Sequence, residues 1–74
     1  MRKKVYIDLS DSEEYKKNHI NGMINIPYDT LLNNYSKFLN KNDIYVLYCK
    51  SGKLSLRLST MLSYLGYNTI NYKK

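Results

Sequence analysis

Seventy-four residues carrying one cysteine, 43% hydrophobic side chains and a formal net charge of +6 describe one small domain, residues 1–74. They exclude several independent cores, an internal disulfide and a membrane-spanning helix, since no apolar run approaches the ~20 residues a span needs. A chain this short is held by a net stability on the order of ~5 kcal/mol.

The basic start, Met1-Arg2-Lys3-Lys4, leads into Val5-Tyr6-Ile7-Asp8-Leu9. That run is too short, and too soon interrupted by an acid, for a signal-peptide core. A lone cysteine suits a reducing compartment, so a soluble cytoplasmic protein is expected. The same run is β-branched or aromatic and reads as a strand buried on both faces. It stops at Ser10-Asp11-Ser12-Glu13-Glu14, where Ser10 with Glu13, or Asp11 with Glu14, fits a capping box for a short helix through Tyr15 to about Lys17. Asn18 to Gly22 is turn chemistry. Met23 to Ile26 is a short strand closed by Pro27.

Asp29-Thr30 is the expected N-cap of a second helix bearing Leu31, Leu32, Tyr35, Phe38 and Leu39 at helical spacing. Asn40 to Asp43 breaks it, and Ile44 to Tyr48 forms the next strand. A third helix is expected from Ser55, with Leu58, Met61, Leu62 and Leu65 on its core face and Leu54 leading in. Ser55, Ser59 and Ser63 then lie towards the opposite side. Gly66 stands where a helix ends left-handed, and Tyr67 to Tyr72 returns as a last strand. Strands alternating with helices argue an α/β, three-layer domain with a small parallel sheet of about four strands and right-handed crossovers.

The positive charges are spread over every segment, at Arg2-Lys3-Lys4, Lys16-Lys17, Lys37, Lys41, Lys50, Lys53, Arg57 and Lys73-Lys74. A nucleic-acid module more often shows a clustered stripe, and most of the nine tyrosines fall within apolar patterns. The charge therefore suits a small anionic substrate or an acidic partner, with no nucleic acid and no membrane expected. With one histidine and no Cys-x-x-Cys, neither a metal site nor a cofactor is expected.

Chemistry concentrates in Tyr48-Cys49-Lys50-Ser51-Gly52-Lys53-Leu54-Ser55. The strand ends on the cysteine, a polar glycine-bearing loop follows, and a helix begins. Ligands in open α/β sheets bind at this kind of junction, where free N–H groups and the helix dipole favour an anion. Both would favour a thiolate, as would nearby Lys50, Lys53 and Arg57. The local pattern leaves two readings, a nucleophilic thiol and a buried structural cysteine.

Three segments together resemble the rhodanese-like sulfurtransferase domains. Ile7-Asp8-Leu9 with Glu13-Glu14-Tyr15 is similar to the family's I-D-[VL]-R…E-[EF]-[FY] opening. His19-Ile20-Asn21-Gly22-Met23-Ile24-Asn25-Ile26-Pro27 is similar to G-H-I-x-G-A-x-N-I-P. Tyr48-Cys49-Lys50-Ser51-Gly52-Lys53-Leu54-Ser55, followed by Leu62 and Leu65-Gly66-Tyr67, resembles the Y-C-x-x-G-x-R-S…L…L-x-x-x-G-[YF] loop and helix. The resemblance implies that Cys49 is catalytic, carrying a sulfane sulfur as a persulfide from a small sulfur-containing anion or a persulfide donor to cyanide, a thiol or a protein acceptor. It implies a substrate-binding loop of Lys50, Ser51, Gly52, Lys53, Leu54 and Ser55. It gives Asp8 and His19 supporting roles, with His19 bonding loop backbone near Asp8.

Two positions depart from the family pattern, Ser10 and Leu54 standing where arginines are usual, which points to weak use of thiosulfate. Against the family pattern the first strand and helix and the closing segment are missing, so one sheet edge and part of a helical layer are expected to be uncovered, with a homodimer or domain loss as the two compensations. A non-catalytic binding module is the alternative. A cysteine phosphatase or arsenate reductase fits less well, because C-x₅-R would need Arg where Ser55 stands, and Arg57 comes two residues late.

Overall fold

The computed structural model describes residues 2–72. Four strands alternate with three helices: β1 (Lys4–Asp8), α1 (Ser12–Lys17), β2 (Ile24–Asn25), α2 (Tyr28–Phe38), β3 (Ile44–Tyr48), α3 (Lys53–Tyr64) and β4 (Asn68–Asn71). The strands form one parallel sheet in the order β2-β1-β3-β4. The step from β1 to β2 runs one way across the sheet, and the next two steps run the other way. Right-handed crossovers therefore place α1 on one face and α2 with α3 on the opposite face.

The core lies on the α2/α3 side. Ile7, Leu9, Tyr45, Leu47 and Cys49, the odd-numbered residues of β1, β3 and their ends, pack with Leu31, Leu39, Leu58, Leu62 and Tyr67. On the other face Val46 and Tyr48 are buried, with the Tyr48 and Tyr72 rings edge-to-face at 5.4 Å. Among the described residues α1 is the sole helix there and buries none of its residues, and Ile70 of edge strand β4 is 49% exposed.

Local chemistry explains the element ends. Asp11 is the cap of α1, its side chain accepting from the Glu14 amide at 2.9 Å, which settles the choice between the two capping boxes. α2 starts earlier than Asp29-Thr30 suggests. Its cap is Pro27, which offers no side-chain acceptor, and the first helical amide, Tyr28 N–H, is satisfied by the Leu9 carbonyl at 3.0 Å. Asn34 leaves helical dihedrals (φ −140, ψ 24), which rotates the last turn and leaves Phe38 half exposed while Leu39 is buried. β2 pairs over two residues only. Asn25 turns its side-chain amide onto the Asp8 and Ser10 carbonyls, tying the strand to the loop after β1.

The third helix differs most from expectation. Its buried face is Ser55, Leu58, Ser59 and Leu62, with Ser55 at 0% and Ser59 at 6% exposure, whereas Leu65 is 40% exposed. Small side chains let α3 settle closely on β4, and the hydroxyls are all bonded. Thr69 Oγ1 donates to the Ser59 carbonyl at 2.8 Å, and Ser63 Oγ lies 2.9 Å from Thr69 Oγ1. Having spent its one proton on Ser59, Thr69 must accept from Ser63. The helix closes in a Schellman turn: Gly66 takes φ +98, its N–H bonds the Ser63 carbonyl, and Tyr67 N–H bonds Leu62. Leu65 is thereby the C-cap and turns outward.

Candidate active site

The carboxyl end of β3 and the amino end of α3 are joined by Cys49 to Gly52, and the turn is built around sulfur. Gly52 caps α3 in the left-handed region (φ +77) and has no side chain to offer the helix amides. A Cβ there would meet nothing within 4 Å, so the glycine serves backbone conformation rather than space. Capping falls to neighbours. The Ser55 amide, third in the helix, donates to Cys49 Sγ at 3.3 Å, and the Lys53 amide donates to Ser51 Oγ at 3.2 Å. The cysteine sulfur occupies the place of an N-cap acceptor, where the helix dipole favours negative charge.

Hydroxyls complete the surround. Ser55 Oγ lies 3.5 Å from Cys49 Sγ and Ser51 Oγ lies 3.8 Å from it. Ser55 Oγ also donates to Asn71 Oδ1 of β4 at 2.5 Å and lies within reach of the Gly52 carbonyl at 3.2 Å. Burial pushes the Cys49 thiol up and is the largest single influence. The Ser55 hydroxyl and amide, the Ser51 hydroxyl and the Gly52 amide together outweigh it, so the thiol lies below the ordinary cysteine range.

The cations do less than their positions in the chain suggest. Lys50 Nζ is paired with Glu14 Oε2 of α1 at 2.6 Å, and this partner holds the Lys50 ammonium above the usual lysine range. Its charge is engaged by that carboxylate. Lys53 and Arg57 are exposed on α3, as is much of Leu54. The thiol is therefore acidified by hydrogen bonds, not by adjacent lysines as the sequence suggests.

Asp8 is 1% exposed, and its Oδ1 accepts the Ser10 amide at 2.8 Å, which holds the turn after β1. His19 is exposed. Its Nδ1 lies 2.6 Å from the Tyr15 carbonyl and its ring stacks on Tyr15 at 4.1 Å, so it closes the end of α1 instead of bonding backbone near Asp8. With Asn18, Ile20, Tyr48 and Lys50 it lines an open cavity of about 340 Å³ beside the cysteine loop. Glu14 and Asn71 are contributors that sequence reasoning missed, being 36 and 16 residues from the groups they bond. For Glu14 a faint signal existed, since it is the acid of the capping box.

The family model for the Rhodanese-like domain matches residues 1–74. The chain is 37% identical over 70 residues to the tRNA sulfurtransferase of Pyrobaculum aerophilum, covering 95% of this chain and 14% of that protein. It is 32% identical over 66 residues to the thiosulfate sulfurtransferase PspE of Escherichia coli, covering 88% of this chain and 64% of the relative. The chain thus spans less than two thirds of either curated relative. Among solved structures, a rhodanese with anions from E. coli superposes with a TM-score of 0.77 at 31% identity, covering 92% of this chain and 82% of that one. A rhodanese-like domain protein from Staphylococcus aureus gives 0.81 at 27% identity, covering 99% and 71%.

Proposed function

This chain belongs to the rhodanese-like domain family, and from that premise we propose that Cys49 accepts a sulfane sulfur as a persulfide and passes it to an acceptor outside the chain. The observation that carries the reading is the Cys49 sulfur set against the Ser55 amide at the start of α3, with serine hydroxyls beside it. In the first step the Cys49 thiolate attacks the outer sulfur of the donor. A sulfur–sulfur bond to Cys49 forms, and the donor's own bond to that sulfur breaks. The leaving group departs with the electron pair, as sulfite from thiosulfate or as a thiolate from a persulfide. In the second step an acceptor nucleophile takes the outer sulfur and Cys49 leaves as thiolate.

The resting thiolate carries its charge on Cys49 Sγ and the persulfide carries it on the outer sulfur one bond further out, so both states put a single negative charge at the start of α3. The Ser55 backbone amide at the helix start is a fixed donor to the Cys49 end of that charge. Cys49 is the chain's one cysteine, so the second nucleophile comes from cyanide, a thiol or a partner protein. A phosphatase-like reading lacks its anion-holding arginine. Ser55 fills that position and is fully buried, while Arg57 is exposed.

The test is direct. Incubate the protein with thiosulfate or with glutathione persulfide, look for a gain of about 32 Da by intact mass, and assay sulfur transfer to cyanide. Labelling that disappears in Cys49→Ser supports the proposal. Absence of label from both donors, or transfer that survives in Cys49→Ser, overturns it.

A further inference from the structure

Ser55 Oγ has one proton and three acceptors around it: Asn71 Oδ1 at 2.5 Å, the Gly52 carbonyl at 3.2 Å and Cys49 Sγ at 3.5 Å. The short bond to Asn71 takes that proton. With the hydroxyl so turned, Ser55 presents a lone pair to sulfur, and the only bond it can make there is as acceptor from a protonated thiol. A thiolate needs the reverse. It accepts only, so the Ser55 hydroxyl must swing to donate to it, leaving Oγ as an acceptor towards β4. Asn71 is one of the few side chains that serve both arrangements, because rotation of its amide offers Nδ2–H in place of Oδ1.

We propose that Asn71 is a positioning residue for Cys49, its amide accepting the Ser55 proton while the thiol is protonated and donating to Ser55 once the sulfur is an anion. The inference rests on the reading of Cys49 as the reacting group, and it adds a β4 residue that no family motif quoted above includes. The chain Asn71–Ser55–Cys49 is then polarised in one sense or the other, and the charge-assisted form is the stronger. Only the thiol proton leaves, to solvent; the other protons stay on their own atoms.

Charged and titratable groups near the sulfur do not provide this switching. Lys50 of its own loop is bonded to Glu14 of α1, and Asp8 of β1 is bonded to the Ser10 amide. Lys53 and Arg57 of α3 are exposed, and Tyr72 beyond β4 packs on Tyr48 of β3. Next to the sulfur, α3 and β4 are joined by the Ser55 hydroxyl and the Asn71 amide.

Iodoacetamide alkylation of Cys49 against pH tests the proposal, in wild type, Asn71→Asp, Asn71→Val, Ser55→Ala and the two double variants. Asn71→Asp leaves an acceptor alone, so the Ser55 proton stays on β4 and alkylation at neutral pH should slow by about tenfold or more. Asn71→Val, suited to a strand, removes both modes and should slow it by about threefold. In the Ser55→Ala background Asn71→Val should change nothing further. Equal pH profiles for wild type and both Asn71 single variants overturn the proposal, as does an undiminished effect of Asn71→Val without the Ser55 hydroxyl. Cyanide transfer measured on the same samples separates the two claims. Shifted profiles in a protein that transfers no sulfur would sink the proposed function and keep Asn71; normal transfer with unmoved profiles would do the opposite.

Discussion

Lys50 Nζ sits 2.6 Å from Glu14 Oε2, so the cation adjacent in sequence to the cysteine is engaged by the helix on the opposite face of the sheet. Glu14 is also the third residue of α1, where an acid favours the helix dipole. Glu14→Gln should therefore release the Lys50 charge towards the loop. The alkylation midpoint of Cys49 is expected to fall by a fraction of a unit at low salt and to return towards wild type at high salt. Lys50→Gln should move it little. A clear rise in Lys50→Gln would mean that the lysine already acts on the sulfur.

Cys49 should alkylate with a midpoint below the ~8.5 of an unperturbed thiol. The linked effect on stability has a definite sign. A depressed acid contributes stability that is fully present above its unfolded value and is lost as pH falls through its folded value. Urea midpoints of wild type relative to Cys49→Ser should therefore rise between the folded Cys49 midpoint and about 8.5. A difference that stays flat across that window would show that the hydrogen bonds do not favour the thiolate over the thiol.

Leu54 stands in the first turn of α3 where the family pattern has arginine, and Ser10 replaces another in the loop after β1. A lost charge-assisted contact costs about 1.5–3 kcal/mol, or roughly ten- to a hundredfold in kcat/KM for a dianion. Thiosulfate should be the weaker donor beside a persulfide. Leu54→Arg should raise kcat/KM for thiosulfate by about tenfold while sparing glutathione persulfide. If both donors gain equally, the argument from a missing anion contact fails.

The buried face of α3 can be read by two truncations. Leu62→Ala removes a fully buried side chain from the core and should cost ~2–5 kcal/mol. Leu65→Ala, at the exposed C-cap, should cost less than about 1 kcal/mol. Ser59→Leu should also destabilise, by ~1–3 kcal/mol, because α3 lies close to β4 there. Urea unfolding of the three variants checks the order. Leu65 costing as much as Leu62 would restore the face inferred from apolar spacing alone.

The sequence alone determined the alternation of strands and helices, the parallel character of the sheet and the place of the cysteine turn. Those depend on short-range signals: β-branched runs, turn glycines at Gly22 and Gly66, and a crossover handedness that leaves few topologies. Apolar periodicity in α3 also located a helix, but not the centre of its buried face. That was decided by β4, whose Thr69 and Asn71 offer hydroxyl and amide partners to Ser63, Ser59 and Ser55, so that a polar seam became packable. The site divides in the same way. A helix start beside Cys49 was legible, since the Ser55 amide lies six residues along the same turn. The pairing of Lys50 with Glu14 and of Ser55 with Asn71 was not, because each joins elements brought together only by the folded sheet. A lysine's nearness in sequence says nothing of where its flexible stem carries the charge, and tertiary structure carried it to α1.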